Sequence, residues 1–213
     1  MSGGLRILIA DDHPIVRRGL KEILEDATDV AEIGEASHPQ EVLDLARAGG
    51  WDVVVLDLGL PGRGGMEVLK DLHQDRPRLP VLILSMQPED QYAVRALRAG
   101  AAGYLTKEAA PDKLLEAIRK VTGGGRYISP SVAEQLAAGL TVDATRPLHD
   151  ALSDREFEVM RLIGSGKTVG DIAEQLSLSV KTVSSYRARI LEKMGMSNNA
   201  ELMQYAIRNR LVD

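Results

Sequence analysis

The sequence predicts an α/β domain with a doubly wound, five-stranded parallel sheet, followed by a small all-α domain of four helices. In the first half of the 213-residue chain, strand-like apolar runs alternate with helical patterns, which is typical of parallel βα units. Two of these runs, at 53–56 and 81–84, are continuously apolar, as expected where helices cover both faces of a sheet. The last 62 residues show no strand pattern.

The predicted elements of the first domain follow one another without interruption. Strand-like runs lie at 5–10, 30–36, 52–58, 80–85 and 102–106, and helical patterns lie at about 14–26, 39–48, 65–75, 89–99 and 112–122. The glycines at 123–125 then break the alternation, so we predict that this domain covers residues 1–123.

A linker with one short helix is predicted over residues 124–151. Ser129 is suited to the N-cap, and Pro130 to the first turn, of a helix within 129–140. Residues 141–151 lack a clear period and are interrupted by Pro147.

The all-α domain is predicted over residues 152–213. Its helices are expected at about 153–165, 169–176, 180–194 and 199–209. Ser153 and Glu156 have the spacing of a capping box, in which each side chain satisfies an N–H group at the start of the first helix.

The composition is that of a soluble globular protein and excludes several kinds of site. Hydrophobic residues make up 44% and charged residues 27% of the chain, and no apolar run approaches the roughly 20 residues of a membrane span. The first residues lack the long apolar stretch of a secretory signal. The absence of cysteine excludes disulfides, thiol catalysis and thiolate-bound metals. We therefore expect a cytoplasmic protein with no membrane partner.

The net charge of −5 is unevenly distributed. Residues 1–125 carry 15 basic and 20 acidic side chains, whereas residues 126–213 carry 11 of each. Within the second part, residues 177–212 carry six basic and two acidic side chains, a net charge of +4. An acidic front with a locally basic end predicts two separate tasks.

Polar side chains stand at the carboxyl ends of four predicted strands. They are Asp11 and Asp12 after the first strand, Asp57 at the end of the third, Ser85 at the end of the fourth and Lys107 just past the fifth. Ligands of a doubly wound sheet bind at this edge, and the flavodoxin-like strand order 2-1-3-4-5 makes these strands neighbours. We therefore expect the five side chains to meet at one rim.

The chemistry of such a rim favours phosphoryl transfer. Three close carboxylates repel one another unless a cation is present, and Mg²⁺ suits an oxygen-rich site, whereas the lack of a histidine cluster and of thiols disfavours Zn²⁺. A carboxylate can itself accept a phosphoryl group, while Lys107 and Ser85 can stabilise the charge on its oxygens. Taken singly, each residue has a plainer interpretation, as a helix cap, a loop start or a surface lysine. Their conjunction favours a site.

Four segments carry a resemblance to a known family. The segments ADDHPIVRRGL (10–20), DLGLPG (57–62), ILSM (83–86) and GYLTKE (103–108) resemble the receiver domain of bacterial two-component response regulators, over residues 5 to about 122. The resemblance implies that Asp57 accepts a phosphoryl group from the phosphohistidine of a sensor histidine kinase. It implies that Mg²⁺ is held by Asp11, Asp12, Asp57 and the backbone carbonyl of Gly59. It also implies that Ser85 turns toward the phosphate on activation, that Tyr104 moves inward with it, and that Lys107 is the lysine of this family.

The basic end of the chain predicts a helix–turn–helix. Over 172–194 the pattern is helix, short turn, helix, with Ser179 as the N-cap of the second helix. Val183, Ile190 and Met194 share a stripe, with Val180 and Leu191 beside it. The outward positions are Lys181, Ser185, Ala188 and Arg189, flanked by Thr182 and Ser184.

Such a helix can enter the major groove of double-stranded DNA. Lys181 and Arg189 suit phosphates, while Ser184, Ser185 and Ala188 can approach base edges. Arg187 falls near the apolar stripe and is a weaker candidate than Arg189. A plainer interpretation is a small helical packing domain with an ordinary solvated face.

The segment from Leu152 to Val212 resembles the LuxR-type helix–turn–helix effector, and an effector of this type joined to a receiver defines the NarL/FixJ group. The resemblance implies DNA binding through helix 180–194 and pairing of two effector domains through helix 199–209. The implied DNA contacts are Lys181, Thr182, Ser184, Ser185, Tyr186, Ala188 and Arg189, and the implied dimer residues are Ala200, Met203, Gln204 and Ile207. Two departures are Tyr186, where the family more often has histidine, and Val169–Gly170, where it often has Asn or Lys.

Together these observations predict a phosphorylation-controlled transcriptional regulator. We expect phosphorylation to favour a homodimer and to free helix 180–194 from the receiver for promoter binding, and we expect no turnover of a separate substrate. One alternative is a Mg²⁺-dependent phosphohydrolase with an aspartyl nucleophile, but its usual second acid, two residues after the first, is here Gly59. The other is a switch whose helical half binds a protein, against which the outward Lys181 and Arg189 argue.

Overall fold

A computed structural model describes residues 4–141 and 147–212 and gives no side-chain surroundings for 138–141. The chain divides into two compact units, Met1–Ala138 and Gly139–Asp213. Residues 142–146 of the predicted linker lie outside the described residues.

The first unit contains a five-stranded, wholly parallel sheet in the order β2-β1-β3-β4-β5. Its strands are β1 (Leu5–Ala10), β2 (Val30–Ala36), β3 (Val53–Leu56), β4 (Val81–Ser85) and β5 (Gly103–Thr106). Its helices are α1 (Pro14–Glu25), α2 (Pro39–Ala48), α3 (Gly65–Asp75), α4 (Glu89–Arg98) and α5 (Ala110–Thr122), with a 3₁₀ turn at Lys107–Ala109. A sixth helix, α6 (Pro130–Thr141), lies in this unit as far as Ala138. This topology confirms the predicted flavodoxin-like fold.

The sheet is buried on both faces, which explains the unbroken apolar runs in β3 and β4. Ile7, Ile9, Val53 and Val55 belong to one core cluster, together with residues of α1 and α5. Neighbouring positions in the same strands, such as Leu8 and those at 54, 56 and 83, are equally buried and point to the opposite face. With side chains packed on both faces, the polar ends of the strands are the places where a ligand can reach the sheet.

The edge of β5 is covered by the segment that follows α5. Tyr127 forms a parallel bridge with Gly103, because its N–H donates to the carbonyl of Ala102 (3.0 Å) and its carbonyl accepts from the N–H of Tyr104 (3.0 Å). The close approach needs a glycine, since a Cβ at Gly103 would lie 2.7 Å from the Tyr127 carbonyl oxygen.

The short helix α6 begins at Pro130, as expected, and Ser129 Oγ accepts a hydrogen bond from the N–H of Val132 (3.3 Å). The side chain of Val132 is buried within the first unit. Tyr127 therefore attaches the segment after α5 to the sheet, and residues 124–138 fall in the first compact unit.

The second unit contains four helices, α7 (Asp154–Gly164), α8 (Val169–Gln175), α9 (Val180–Met194) and α10 (Asn199–Arg208), preceded by a 3₁₀ turn at Leu148–Ala151. Phe157, Ile172, Val183 and Leu202, one from each helix, are fully buried. The predicted capping box is confirmed, because Ser153 Oγ accepts from the N–H of Glu156 and the Glu156 carboxylate accepts from the N–H of Ser153. Within the described ranges, no helix combines the length and the apolar character of a membrane span.

The contact between Gly103 and Tyr127 leads to a first prediction. Gly103→Ala should release the Tyr127 segment from β5, because the new methyl group overlaps the Tyr127 carbonyl, and overpacking of this kind costs about 1–3 kcal/mol. Urea unfolding should report the loss, and hydrogen exchange should become faster at the Tyr104 and Tyr127 amides. Gly19→Ala in α1 is the control, since a Cβ there meets nothing within 4 Å and should leave stability equal or higher. Unchanged exchange at both amides in Gly103→Ala would contradict the prediction.

Candidate functional site

Three of the predicted site residues form a buried ion-pair cluster at the carboxyl end of the sheet. Lys107 Nζ lies 2.6 Å from Asp11 Oδ2 and 2.7 Å from Asp57 Oδ2. Asp11 follows β1, Asp57 follows β3 and Lys107 follows β5, so the strand order brings the three together. The Asp11 and Asp57 side chains are almost fully buried, and that of Lys107 is 10% exposed. One ammonium group thus neutralises part of the charge of two carboxylates.

Backbone contacts hold Asp57 in place. Its N–H donates to the carbonyl of Ala10 (2.8 Å), and its Oδ1 accepts from the N–H of Gly59 (3.0 Å). A Cβ at Gly59 would lie 3.1 Å from Asp57 Oδ2, so a larger residue here would crowd the carboxylate. The start of α3 is equally close, because a Cβ at Gly65 would lie 2.2 Å from the Asp57 carbonyl oxygen. Two small residues therefore shape the loop around this acid.

The acids at the rim offer a compact set of metal ligands. Asp11, Asp12, His13 and Asp57 each present one ligand atom, and these atoms lie within 4.8 Å of one another. Oδ1 of Asp12 is buried, and no group in the described ranges donates a well-aligned hydrogen bond to it. Carboxylate oxygens kept together in this way fit a hard divalent cation. The sequence predicts a ligand role for the carbonyl of Gly59, and the contact that the structure describes between Gly59 and Asp57 is made by the N–H group of Gly59.

Sequence reasoning missed His13 as a member of this set. Its Nδ1 lies 2.8 Å from Asp12 Oδ1 and 3.3 Å from Asp11 Oδ1. The signal in the sequence was its position directly after the two acids.

The cluster shifts the pKa values of its members. Burial raises the pKa of the Asp57 carboxyl above its ordinary value, although Lys107 and the Gly59 N–H oppose the shift. Burial by itself disfavours the Lys107 ammonium, but attraction to Asp57 and Asp11 is stronger in sum and raises the pKa of Lys107. The lysine is therefore charged at neutral pH, whereas ionisation of Asp57 lowers the stability of the folded protein.

Ser85 and Tyr104 share a contact residue in the loop that precedes α4. Ser85 Oγ accepts a hydrogen bond from the N–H of Gln87 (3.1 Å), and the Tyr104 hydroxyl donates to the carbonyl of Gln87 (2.9 Å). Both side chains are 1% exposed, so the ring of Tyr104 points inward in this structure. Burial raises the pKa of the Tyr104 phenol, which therefore stays a neutral donor.

In the second unit, α9 presents the predicted outward face. Lys181, Ser184, Ser185, Ala188 and Arg189 are exposed, and Thr182 and Tyr186 are half-buried. Val183, Ile190 and Met194 are buried on the opposite side, as expected. Val180 differs from the expectation and is 57% exposed, because it lies in the first turn, beyond the packed stripe.

Three contacts keep α9 in position. Ser179 caps its start by accepting from the N–H of Thr182 (3.0 Å), and Lys193 near its end donates to the buried Glu156 (2.6 Å). Burial alone would raise the pKa of Glu156, but Lys193 and the Ser153 groups lower it, so this carboxylate is ionised at neutral pH. Arg187 donates to Asn199 Oδ1 (2.5 Å), which agrees with its lower rank as a DNA contact.

The exposed cation at Arg189 is ordered by an aromatic neighbour. The guanidinium carbon lies 5.1 Å from the centre of the Tyr186 ring, within cation–π range. Tyr186, which stands where the LuxR-type family more often has histidine, therefore places its ring against the Arg189 guanidinium.

The other departure, at Val169–Gly170, lies in the first turn of α8, where Thr168 and Asp171 form a capping box. A glycine in a helix interior costs about 1 kcal/mol relative to alanine, and the two-sided cap offsets such a cost at a helix start.

The predicted dimer residues lie on the outer side of α10. Ala200 and Gln204 are exposed, Met203 is half-buried, and Ile207 is 61% exposed. The inner side, with Leu202 and Ala206, is buried against the rest of the second unit.

The fold and the two sites define a class of protein. A 2-1-3-4-5 parallel sheet with a buried acid–lysine cluster at its carboxyl edge is the architecture of a phosphoacceptor domain, and the basic helix of the second unit is that of a DNA-binding helix–turn–helix.

The chain belongs to the response regulators. Residues 7–119 match the response regulator receiver domain, and residues 150–206 match the bacterial regulatory proteins of the luxR family. It is 38% identical to the response regulator UvrY of Escherichia coli K12 over 97% of this chain and 95% of UvrY. It is 37% identical to the response regulator GacA of Pseudomonas aeruginosa over 98% of each chain. A solved structure of two RcsB dimers bound to two parallel DNAs matches with a TM-score of 0.59 and 29% identity, over 95% of this chain and 97% of that one.

The protein is therefore a phosphorylation-dependent, DNA-binding transcription regulator of the NarL/FixJ group. Its family is one of regulators and not of metabolic enzymes.

The raised pKa of Asp57 generates a prediction about stability. The folded protein holds a proton at Asp57 more tightly than the unfolded chain, so ionisation of this carboxyl destabilises the fold. In a chelator-treated sample, Asp57→Asn should therefore unfold at a higher urea concentration than the wild type at pH 7. The difference should shrink as the pH falls through the folded pKa of Asp57 and vanish below the ordinary value of 3.8.

Circular dichroism at several pH values measures this difference. Asp112→Asn, at an exposed acid in the first turn of α5, should show no such pH-dependent gain. Lower stability of Asp57→Asn at pH 7 would mean that the lost ion pair with Lys107 outweighs the burial of charge.

Proposed function

We propose that Asp57 is the phosphoacceptor of this regulator and that its phosphoryl group comes from the phosphohistidine of a sensor histidine kinase. The observation that carries the proposal is the position of Lys107 Nζ, 2.7 Å from Asp57 Oδ2 and 2.6 Å from Asp11 Oδ2. As the attacking group, Asp57 has the fixed orientation that the reaction needs. Lys107 beside it can stabilise the negative charge on the transferred phosphoryl group.

The transfer exchanges one bond for another at phosphorus. An oxygen of Asp57 attacks the phosphorus, the P–O bond forms as the P–N bond to the histidine breaks, and the electron pair of that bond stays on the imidazole nitrogen. Lys107 remains protonated and stabilises the phosphoryl oxygens. The N–H of Gly59 holds Oδ1 of Asp57, so the carboxylate keeps its orientation during the attack.

The same rim fits Mg²⁺, and we propose that Asp11, Asp12, Asp57 and the carbonyl of Gly59 hold it. When bound, this cation supplies the positive charge that neutralises the phosphoryl oxygens. Support comes from the buried Asp12 oxygen without a well-aligned donor and from the grouping of the ligand atoms within 4.8 Å.

Ser85 and Tyr104 are proposed as the switch residues. Both hydroxyls contact the backbone of Gln87, one as acceptor and one as donor. A phosphoryl group on Asp57 adds about −1.5 to −2 charges and strong acceptor oxygens, and turning Ser85 toward it would free the N–H of Gln87. The loop before α4 would then change its hydrogen bonds, while Tyr104 is already inward.

We propose that the second unit binds double-stranded DNA through α9. The exposed cations Lys181 and Arg189 suit phosphates, and Thr182, Ser184, Ser185, Tyr186 and Ala188 lie on the face that would enter the groove.

Pairing of two such units would involve Ala200, Met203, Gln204 and Ile207 on α10, where the exposed Ile207 supports an apolar contact. A solved structure of RcsB, a relative, contains dimers bound to DNA, which supports the proposal that this regulator also pairs. Three further points stay predictions. The first is that phosphorylation promotes this homodimer and frees α9 from the receiver. The others are the assignment of residues 1–123, 124–151 and 152–213 as receiver, linker and effector, and a cytoplasmic location.

We further propose that no separate substrate is turned over. The position where an aspartyl phosphohydrolase usually carries its second acid is Gly59, so Asp57 lacks a general acid two residues away. The aspartyl phosphate would be lost only slowly to water.

Phosphate incorporation tests the acceptor assignment. Asp57→Ala should abolish acid-labile labelling of the protein by radiolabelled acetyl phosphate with Mg²⁺, because the nucleophilic oxygen is removed. Asp112→Ala should label like the wild type. Retained labelling in a folded Asp57→Ala protein would show that another residue is the acceptor.

Binding to DNA tests the role of α9. Lys181→Ala and Arg189→Ala should each weaken binding to all duplexes by a similar factor and reduce the salt dependence by about one phosphate contact. Fluorescence anisotropy with unrelated duplexes at several salt concentrations measures both quantities. Arg208→Ala removes the same charge from α10 and should have a smaller effect. A loss confined to particular sequences would refute the phosphate role.

A further inference from the structure

We propose that His13 is a nitrogen ligand of the metal site and that it extends the range of that site from Mg²⁺ to late first-row cations such as Co²⁺ and Ni²⁺. The inference rests on the proposed metal site and concerns a residue to which neither the sequence motifs nor the comparisons give a role. Its basis is the position of the imidazole among the rim carboxylates.

The two oxygens of Asp11 face different partners. Oδ2 lies 2.6 Å from Lys107 Nζ, whereas Oδ1 lies 3.3 Å from His13 Nδ1. His13 Nδ1 is also 2.8 Å from Oδ1 of Asp12. The ammonium therefore occupies one side of Asp11, and the imidazole meets the carboxylate oxygens on the other side.

The backbone brings the imidazole to this position. The His13 N–H donates to Asp11 Oδ1 (2.8 Å), and Arg17 donates to the Asp11 carbonyl (2.7 Å). Pro14 follows at the first position of α1 and restricts His13 to extended backbone, which it adopts with φ −87° and ψ 111°.

The side chain of His13 has no competing task in the helix. It occupies the N-cap of α1 but makes no capping hydrogen bond, and it is 63% exposed. The ring is thus placed beside the acids by its backbone and is open to the solvent from which a cation would arrive.

An added imidazole changes which cations the site prefers. Mg²⁺ favours oxygen ligands, whereas imidazole suits the later transition metals, whose affinity rises from Mn²⁺ through Co²⁺ and Ni²⁺. The sequence disfavoured Zn²⁺ because it showed no histidine cluster and no thiol, and the structure brings one histidine into the acid group. His13 would therefore strengthen Co²⁺ and Ni²⁺ binding while leaving Mg²⁺ binding to the oxygen ligands.

Calorimetric titration of untagged, full-length protein with Mg²⁺, Co²⁺ and Ni²⁺ at a single pH tests the proposal. His13→Ala removes the ring, and His13→Asn keeps a side-chain N–H group near Asp12 but removes the imidazole nitrogen. The affinity of both variants for Ni²⁺ and Co²⁺ should fall about tenfold or more. Loss of a group that only orients a metal ligand typically lowers affinity by this much, and loss of a ligand should lower it at least as far. Their Mg²⁺ affinity should stay within about threefold of the wild type. The Co²⁺ absorption spectrum should also change in both variants, because a nitrogen ligand is lost.

His38 provides a matched control. It precedes Pro39 at the N-cap of α2, makes no capping hydrogen bond and lies outside the group of metal-ligating side chains found in the described ranges. His38→Asn should leave the affinity for all three cations unchanged.

Two results would overturn the proposal, and a third would overturn the site itself. Wild-type Ni²⁺ and Co²⁺ affinity in both His13 variants would show that the ring is not a ligand. Equal losses of Mg²⁺ and Ni²⁺ affinity in His13→Ala, with recovery of both in His13→Asn, would mean that His13 only orients Asp12. Undiminished binding of all three cations in Asp12→Asn and Asp57→Asn would instead refute the metal site on which the proposal rests.

Discussion

The buried contact of one ammonium group with two carboxylates is the interaction on which the receiver site depends. Lys107 reaches both Asp11 and Asp57 only because β1, β3 and β5 end at the same edge of the sheet. Two acids this close would otherwise repel each other in a poorly solvated place. The lysine lowers the pKa of Asp57, but burial of the carboxyl, with a smaller contribution from Asp11, still raises that pKa above its ordinary value. The resting site therefore stores an unfavourable charge that a bound cation or a proton can relieve.

A second set of polar contacts joins the ends of the fourth and fifth strands. Gln87 joins Ser85 to Tyr104 through its backbone, and the N–H of Tyr104 is bonded to Tyr127 in the segment that leads to α6. The aromatic residue beside the site and the segment that follows α5 are thus neighbours within one unit. In the second unit a single buried acid, Glu156, has a comparable position, because it caps α7 and binds Lys193 of α9. α9 is thus held to α7 by a charge pair whose acid is buried.

Much of the architecture could be predicted because it depends on local pattern. The apolar runs of β3 and β4, the capping box at Ser153 and the cap at Ser179 involve residues within a few positions of one another, where period and spacing are informative. The acids at strand ends could also be placed, since parallel strands end at a common edge. The strand order came from the choice between two common topologies, supported by the family resemblance.

The sequence by itself determined the class of the two domains, the acids and lysine of the site and the outward face of α9, because these follow from periodicity, spacing and motif. Only the tertiary structure decided that Tyr127 extends the edge of β5, that Glu156 binds Lys193 and that His13 faces Asp11 and Asp12. The first two contacts join residues 24 and 37 positions apart, and no local period encodes which distant partner a side chain meets. The third depends on the extended backbone of His13 before Pro14 and on the hydrogen bond from its N–H to Asp11.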